Sequence, residues 1–203
     1  MYPAFIDLKD KACLLVGGGA VAAAKADHLL QSHARLTVIS PEISPALQQR
    51  RSEGAITWLA RPYQSPEAKD YFLIIAATND SAVNEQISLD AKASQRLFNA
   101  VDQPALCNFF AGAAIRRGHL QIAVSTEGAF PALAKHLRRK LEDQFPEAYG
   151  SLLEKLEGYR KRLMATESDA GKRKATIKSL LDSGAIDAFL KGDESVLNRR
   201  ISG

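Results

Sequence analysis

The chain is poor in several residue types, and each scarcity narrows what it can do. It holds two cysteines in 203 residues, Cys13 and Cys107, far apart and in no CxxC pair. That excludes a disulfide framework, and both read as reduced thiols. Its four histidines are scattered, so no cluster has metal-ligand spacing, and no nucleophile triad stands out. No apolar run approaches the ~18 residues of a membrane span. The opening Met1-Tyr2-Pro3-Ala4-Phe5-Ile6-Asp7 lacks the basic and apolar parts of a leader, so a cytoplasmic location away from membranes is expected. What remains is an ordinary globular composition, 46% hydrophobic and 25% charged. A chain of this length buries roughly 70% of its unfolded surface without staples.

The most informative stretch is Ala12-Cys13-Leu14-Leu15-Val16-Gly17-Gly18-Gly19-Ala20-Val21-Ala22, an apolar run that meets three glycines and resumes as an alanine-rich segment. It reads as strand, tight turn, helix. Gly17-x-Gly19-x-x-Ala22 fits the dinucleotide fingerprint: one glycine for the turn, one for close approach of backbone to pyrophosphate, and a small residue for helix–strand packing. Glycines also mark ordinary turns, so context matters. Arg35 to Ile39 reads as a second strand closing a βαβ unit, and Glu42 lies about twenty residues beyond Ala22, where a ribose ligand is expected.

Further along, Pro45 opens a short helix behind Ser44 as cap, with Gly54 as its stop, and Ile56 to Leu59 reads as a third strand. The continuous apolar run Tyr71 to Ala77 suits a central parallel strand buried on both faces. It ends in Ala77-Thr78-Asn79-Asp80, placed to face the glycine crevice and also to cap a helix over 81–92. Leu97 to Val101 is another strand, and Asp102 emerges at its end, a carboxylate aimed at the same cleft. From Gly112 the pattern changes to two strands around Arg117-Gly118, then Ser125-Thr126 as a cap and a basic helix from about Pro131. Beyond Pro146 only helical spacing appears.

Charge is uneven. Residues 1–134 carry 12 basic and 12 acidic side chains, so the net +4 sits in the last third. Solvated helix faces with i,i+4 partners explain such runs, as does attraction of a polyanionic ligand. Nucleic acid is not expected, because aromatics are not interleaved with the cations.

Together these stretches are recognisable. The chain resembles the precorrin-2 dehydrogenase and sirohydrochlorin ferrochelatase family, including the N-terminal module of siroheme synthase. The likeness is carried by Val16 to Ala22 with Lys25, Leu36 to Glu42, Ile75 to Asp80 with Val83-Asn84, Asn99 to Asp102, and Gly118 to Thr126 with Pro131. Ala24, Asn79 and Thr126-Glu127 depart from the common pattern.

The resemblance implies an α/β fold with a Rossmann-like parallel sheet. It divides the chain into an NAD-binding domain over 1–112, a small α+β dimerisation segment over 113–146 and a helical C-terminal domain over 147–203. It implies NAD-dependent oxidation of precorrin-2 to sirohydrochlorin, with insertion of ferrous iron as a second activity in some members, and a homodimer. Carried over by position, Ala20, Val21, Pro41 and Glu42 contact NAD beside Gly17, Gly19, Ala77 and Thr78. Asp102 is then the catalytic carboxylate, and Ser125 and Thr126 meet the tetrapyrrole. The competing expectation is an NAD-sensing regulatory module without tetrapyrrole chemistry.

Overall fold

A computed structural model describes residues 1–202, which divide into two compact units, Met1–Ala111 and the chain from Gly112 onward. The first unit is built on five parallel strands in the order β3-β2-β1-β4-β5: β1 Ala12–Val16, β2 Arg35–Ile39, β3 Ile56–Leu59, β4 Leu73–Ala76 and β5 Leu97–Ala100. Alternate residues of β1 serve opposite faces. Cys13 and Leu15 pack with Ala22, Ala26 and Leu29 of helix α1 (Ala20–Leu30) and with Leu47 of α2 (Pro45–Ser52). Leu14 and Val16 pack with Ile87 and Ala91 of α3 (Ser81–Ala93). Burial on both faces is why these strands read as unbroken apolar runs.

Strand order reverses at β1, since the chain builds outward through β2 and β3 before crossing to β4 and β5 on the other side. Such a reversal opens a crevice beyond the carboxyl ends of the strands. The register is level there. Val16 lies opposite both Ile39 and Ala76, and Ala76 opposite Ala100. Gly17, Ser40, Ala77 and Val101 therefore leave the sheet side by side.

The strand expected over 71–77 is shorter at its start because a 3-10 turn, Glu67–Asp70, runs up to Tyr71, whose N–H bonds Ala68 O. Ser44 stands at the N-cap of α2 as expected, yet its hydroxyl makes no cap bond. It is buried without a partner among the described residues, while the Ser44 N–H donates to Gly18 O at 2.7 Å.

The second unit begins with an antiparallel hairpin, β6 Ala113–Arg117 and β7 Leu120–Val124, turning at Gly118 with φ +55. Helix α4 spans Pro131–Gln144. Ser125 and Thr126 do not cap it. Ser125 Oγ accepts from Glu127 N and Thr126 Oγ1 from Phe130 N, closing turns ahead of the helix, whose N-cap is Phe130. Helices α5 Ala148–Thr166, α6 Ala170–Leu181, α7 Ala185–Leu190 and α8 Glu194–Ile201 follow, around a small core of Leu152, Leu180, Phe189, Leu197 and Ile201. Two of the basic runs carry i,i+4 partners, Arg138 with Glu142 and Lys161 with Glu157. No helix among the described residues is long and apolar enough to cross a membrane.

Candidate functional site

A cavity of about 540 Å³ opens at the strand reversal, walled by Val16 to Val21, Ile39 to Pro41 and Ala77 to Asp80, with Pro62, Tyr63 and Val83 closing it. The three glycines have different duties. Gly17 adopts φ +120, and a Cβ there would overlap the Ala77 carbonyl. At Gly18 a Cβ would overlap the Glu42 carbonyl and stand 2.8 Å from Ser40 Oγ. Both are demanded by the protein's own packing. Gly19 has φ −79 and ψ −171, available to any residue, and a Cβ there meets nothing within 4 Å. Nothing among the described residues within reach therefore requires a glycine at this position.

Gly19 is the N-cap of α1, with no side-chain cap bond and no acidic residue in the first turn. The leading N–H groups of that helix lack intrahelical acceptors and stay available to an anion, which the helix dipole also favours. Helix α3 differs, because Asp80 accepts from Ala82 N and Val83 N at 3.0 and 3.2 Å and so closes its own N-terminus. Asp80 thus caps a helix and lines the cavity, the two roles expected of that turn. A pyrophosphate fits α1 and not α3.

Seven of the residues expected to hold the cofactor, Gly17, Gly19, Ala20, Val21, Pro41, Ala77 and Thr78, line this one cavity. Glu42 is exposed and outside its lining, and its carbonyl faces Gly18. Asp102 lies two residues beyond β5, exposed, with φ +60. Ser125 and Thr126 belong to the second unit.

Neighbouring polar groups fix the walls. Tyr63 OH donates to Asp90 Oδ2 at 2.7 Å and accepts from Ala68 N at 3.1 Å; Asp90, nearly buried, also accepts from Ser65 and Gln86. Burial first, then the bond to Asp90, pushes the Tyr63 phenol well above its usual range. Trp58 Nε1 donates to Ser40 O at 2.9 Å. Asn84, also buried, bonds to Thr78 and Gln103. Sequence reasoning overlooked Gly18, Tyr63, Asp90 and the polar contacts of Asn84. The available signal was helical spacing, since Asn84 and Ser88 share the buried face of α3 with Ile87 and Ala91. Among the described residues no group of three or more His, Cys, Asp and Glu converges to hold a metal ion.

A parallel sheet with a strand-order reversal, a glycine turn and an open helix N-terminus over one cavity defines a dinucleotide-binding α/β protein. A family described as "Putative NAD(P)-binding" matches residues 4–113, and one described as "Sirohaem biosynthesis protein central" matches residues 117–144. The chain belongs to the putative NAD(P)-binding family, whose model covers more than half of it. It is 39% identical over 193 residues to a siroheme synthase of Thioalkalivibrio sulfidiphilus, covering 95% of this chain and 40% of that protein. It is 40% identical over 152 residues to siroheme synthase 1 of Serratia proteamaculans, covering 75% and 32%. The chain spans about two fifths or less of these relatives. Among solved structures, one named SirC, precorrin-2 dehydrogenase, superposes with a TM-score of 0.83 over 100% of both chains at 25% identity.

Proposed function

We propose that this chain oxidises precorrin-2 to sirohydrochlorin with NAD, releasing NADH and one proton. The observation that carries the reading is the level register. It brings the chain out of β5 level with Ala77 of the neighbouring strand, and Asp102 follows one residue later on the exposed turn, outside the lining of the cavity itself. The cofactor supplies a hydride acceptor. The α1 N–H groups would hold its pyrophosphate, with Gly19 leaving room for the approach while Gly17 and Gly18 let the turn pack on Ala77 and Glu42, and Asp102 would take the proton that leaves the tetrapyrrole with the hydride. A positioned base of this kind contributes ~10²–10⁴-fold. Glu42, Ser125 and Thr126 keep the roles implied by the family resemblance, the ribose for the first and the tetrapyrrole for the other two.

NAD is favoured over NADP by what surrounds Pro41. No basic residue adjoins it, Arg50 is engaged by Asp27 and Glu53 at 3.0 and 3.3 Å, and Arg51 lies over the Trp58 ring at 4.9 Å. A homodimer is supported by α4, which buries only Ala134 while Phe130, Leu133 and Leu137 are exposed, and by a hairpin too small to bury its own apolar face. That is the role we assign to residues 113–146, with 147–203 as a helical domain.

The test is an anaerobic absorbance time course with precorrin-2 and NAD, wild type beside Asp102→Asn, followed by ferrous iron. NADH and sirohydrochlorin appear together in the wild type and fall at least ~10²-fold in the variant, which still binds NADH. An iron-dependent change faster than the enzyme-free rate adds metal insertion, for which Asp102 would accept pyrrole protons. NADH binding without oxidation by the wild type overturns the proposal and favours a regulatory module.

A further inference from the structure

We infer that Asn84 is a positioning residue that ties the dinucleotide cavity to the turn carrying Asp102. The inference rests on the dehydrogenase reading above and adds to it. Asn84 is 3% exposed on α3, and both ends of its amide are engaged. Its Oδ1 accepts from Thr78 Oγ1 at 2.7 Å, and its Nδ2 donates to Thr78 O at 3.2 Å and to Gln103 Oε1 at 3.0 Å. Thr78 lines the cavity, and Gln103 follows Asp102. One buried amide thus joins a residue at the cofactor wall to the immediate neighbour of the proposed base.

The Asp102 turn needs such a tether. It is closed by a long hydrogen bond, Gln103 N to Ala100 O at 3.4 Å, and Asp102 sits in the left-handed region at φ +60, uncommon for a non-glycine residue though less so for an aspartate in a turn. Cys107 braces the base of the turn, its Sγ accepting from Ala100 N at 3.2 Å and lying 3.4 Å from Gln103 O. The side chain of Gln103 is the other brace, and it ends on Asn84. Movement of Thr78 as the cavity fills is therefore transmitted through two short polar contacts to the backbone that aims the carboxylate.

The test isolates the Gln103 arm. Gln103→Met keeps length and removes the acceptor, while Gln103→Glu keeps an accepting oxygen. With Gln103→Met, NADH affinity and the KM for NAD stay within about twofold of wild type while kcat drops about tenfold, a loss of the size small misplacements cause. Gln103→Glu restores most of kcat, and adding Gln103→Met to Asp102→Asn costs nothing further. Full kcat in Gln103→Met, or an equal additional loss in the double variant, overturns the inference. A second measurement is independent of turnover: NADH slows amide hydrogen exchange over 101–107 in the wild type and not in Gln103→Met. Equal slowing in both overturns the tether. An inactive wild type that still shows this difference removes the dehydrogenase reading and leaves the tether standing.

Discussion

Replacing Gly19 with aspartate should make the protein more stable and at the same time unable to hold its cofactor. The backbone of Gly19 already has N-cap geometry, φ −79 and ψ −171, and a Cβ meets nothing within 4 Å. An aspartate there caps the open N–H groups of α1. Relative to glycine the cap contributes a few tenths of a kcal/mol, charge at the helix N-terminus about 0.3–1, and loss of unfolded-state freedom about 0.4–1. The total is about 1–2 kcal/mol, a rise of a few degrees in Tm for a chain of this size. The same carboxylate occupies the anion's place. Losing two charge-assisted hydrogen bonds at about 1.5–3 kcal/mol each weakens NADH binding by about 10²–10⁴-fold. Gly18→Ala is the contrast, since its methyl overlaps the Glu42 carbonyl and lowers stability through overpacking. Thermal melting reads the first effect. The second is read by fluorescence of Trp58, the single tryptophan, bonded to a cavity residue and so placed to transfer energy to bound NADH. A Gly19→Asp protein that melts below wild type, or that melts higher and keeps its NADH affinity, would refute the assignment of the α1 N-terminus.

Two further outcomes are expected. Cys13 is fully buried, and burial pushes its thiol from 9.0 up to about 11, so the unfolded chain ionises first as pH rises. The group's contribution, about 3 kcal/mol, is intact below about pH 9 and lost through about pH 11; denaturant melts at the two ends should show the fall in wild type and a shallower one in Cys13→Ala. Leu133→Asp places a charge on the exposed face of α4 and should weaken self-association at least tenfold by sedimentation, with NADH affinity unchanged. A wild type that is already monomeric would remove the dimer proposal.

The sheet was legible because parallel strands buried on both faces announce themselves as apolar runs, and the helices because caps and stops such as Pro45, Gly54 and Asp80 act locally. The cavity was legible in its glycine turn and in the strand-end residues Ala77 and Thr78. The duty of Gly18 was hidden, since it answers to a carbonyl 24 positions away in sequence. Tyr63 and Asp90 were hidden for the same reason: their bond spans 27 positions and leaves no periodic trace. Ser44 and Ser125-Thr126 show the converse limit. A serine before a proline-led helix predicts a cap, but the hydroxyl bonds only if nothing else sets the local geometry, and here Gly18 and the turn at Glu127 do.

The level edge on which Gly17, Ser40, Ala77 and Val101 emerge separates what the fold needs from what the chemistry uses. The strands spend their apolar side chains on the two core layers, while the cavity-lining turns and the proposed base ride on residues just past their ends. Exposed positions such as Asp102 can then change with little cost to folding. A lineage carrying this scaffold is free to lose one activity, keep another or acquire a third by exchanging one side chain on the rim, so shared architecture among relatives says little about how many reactions each performs.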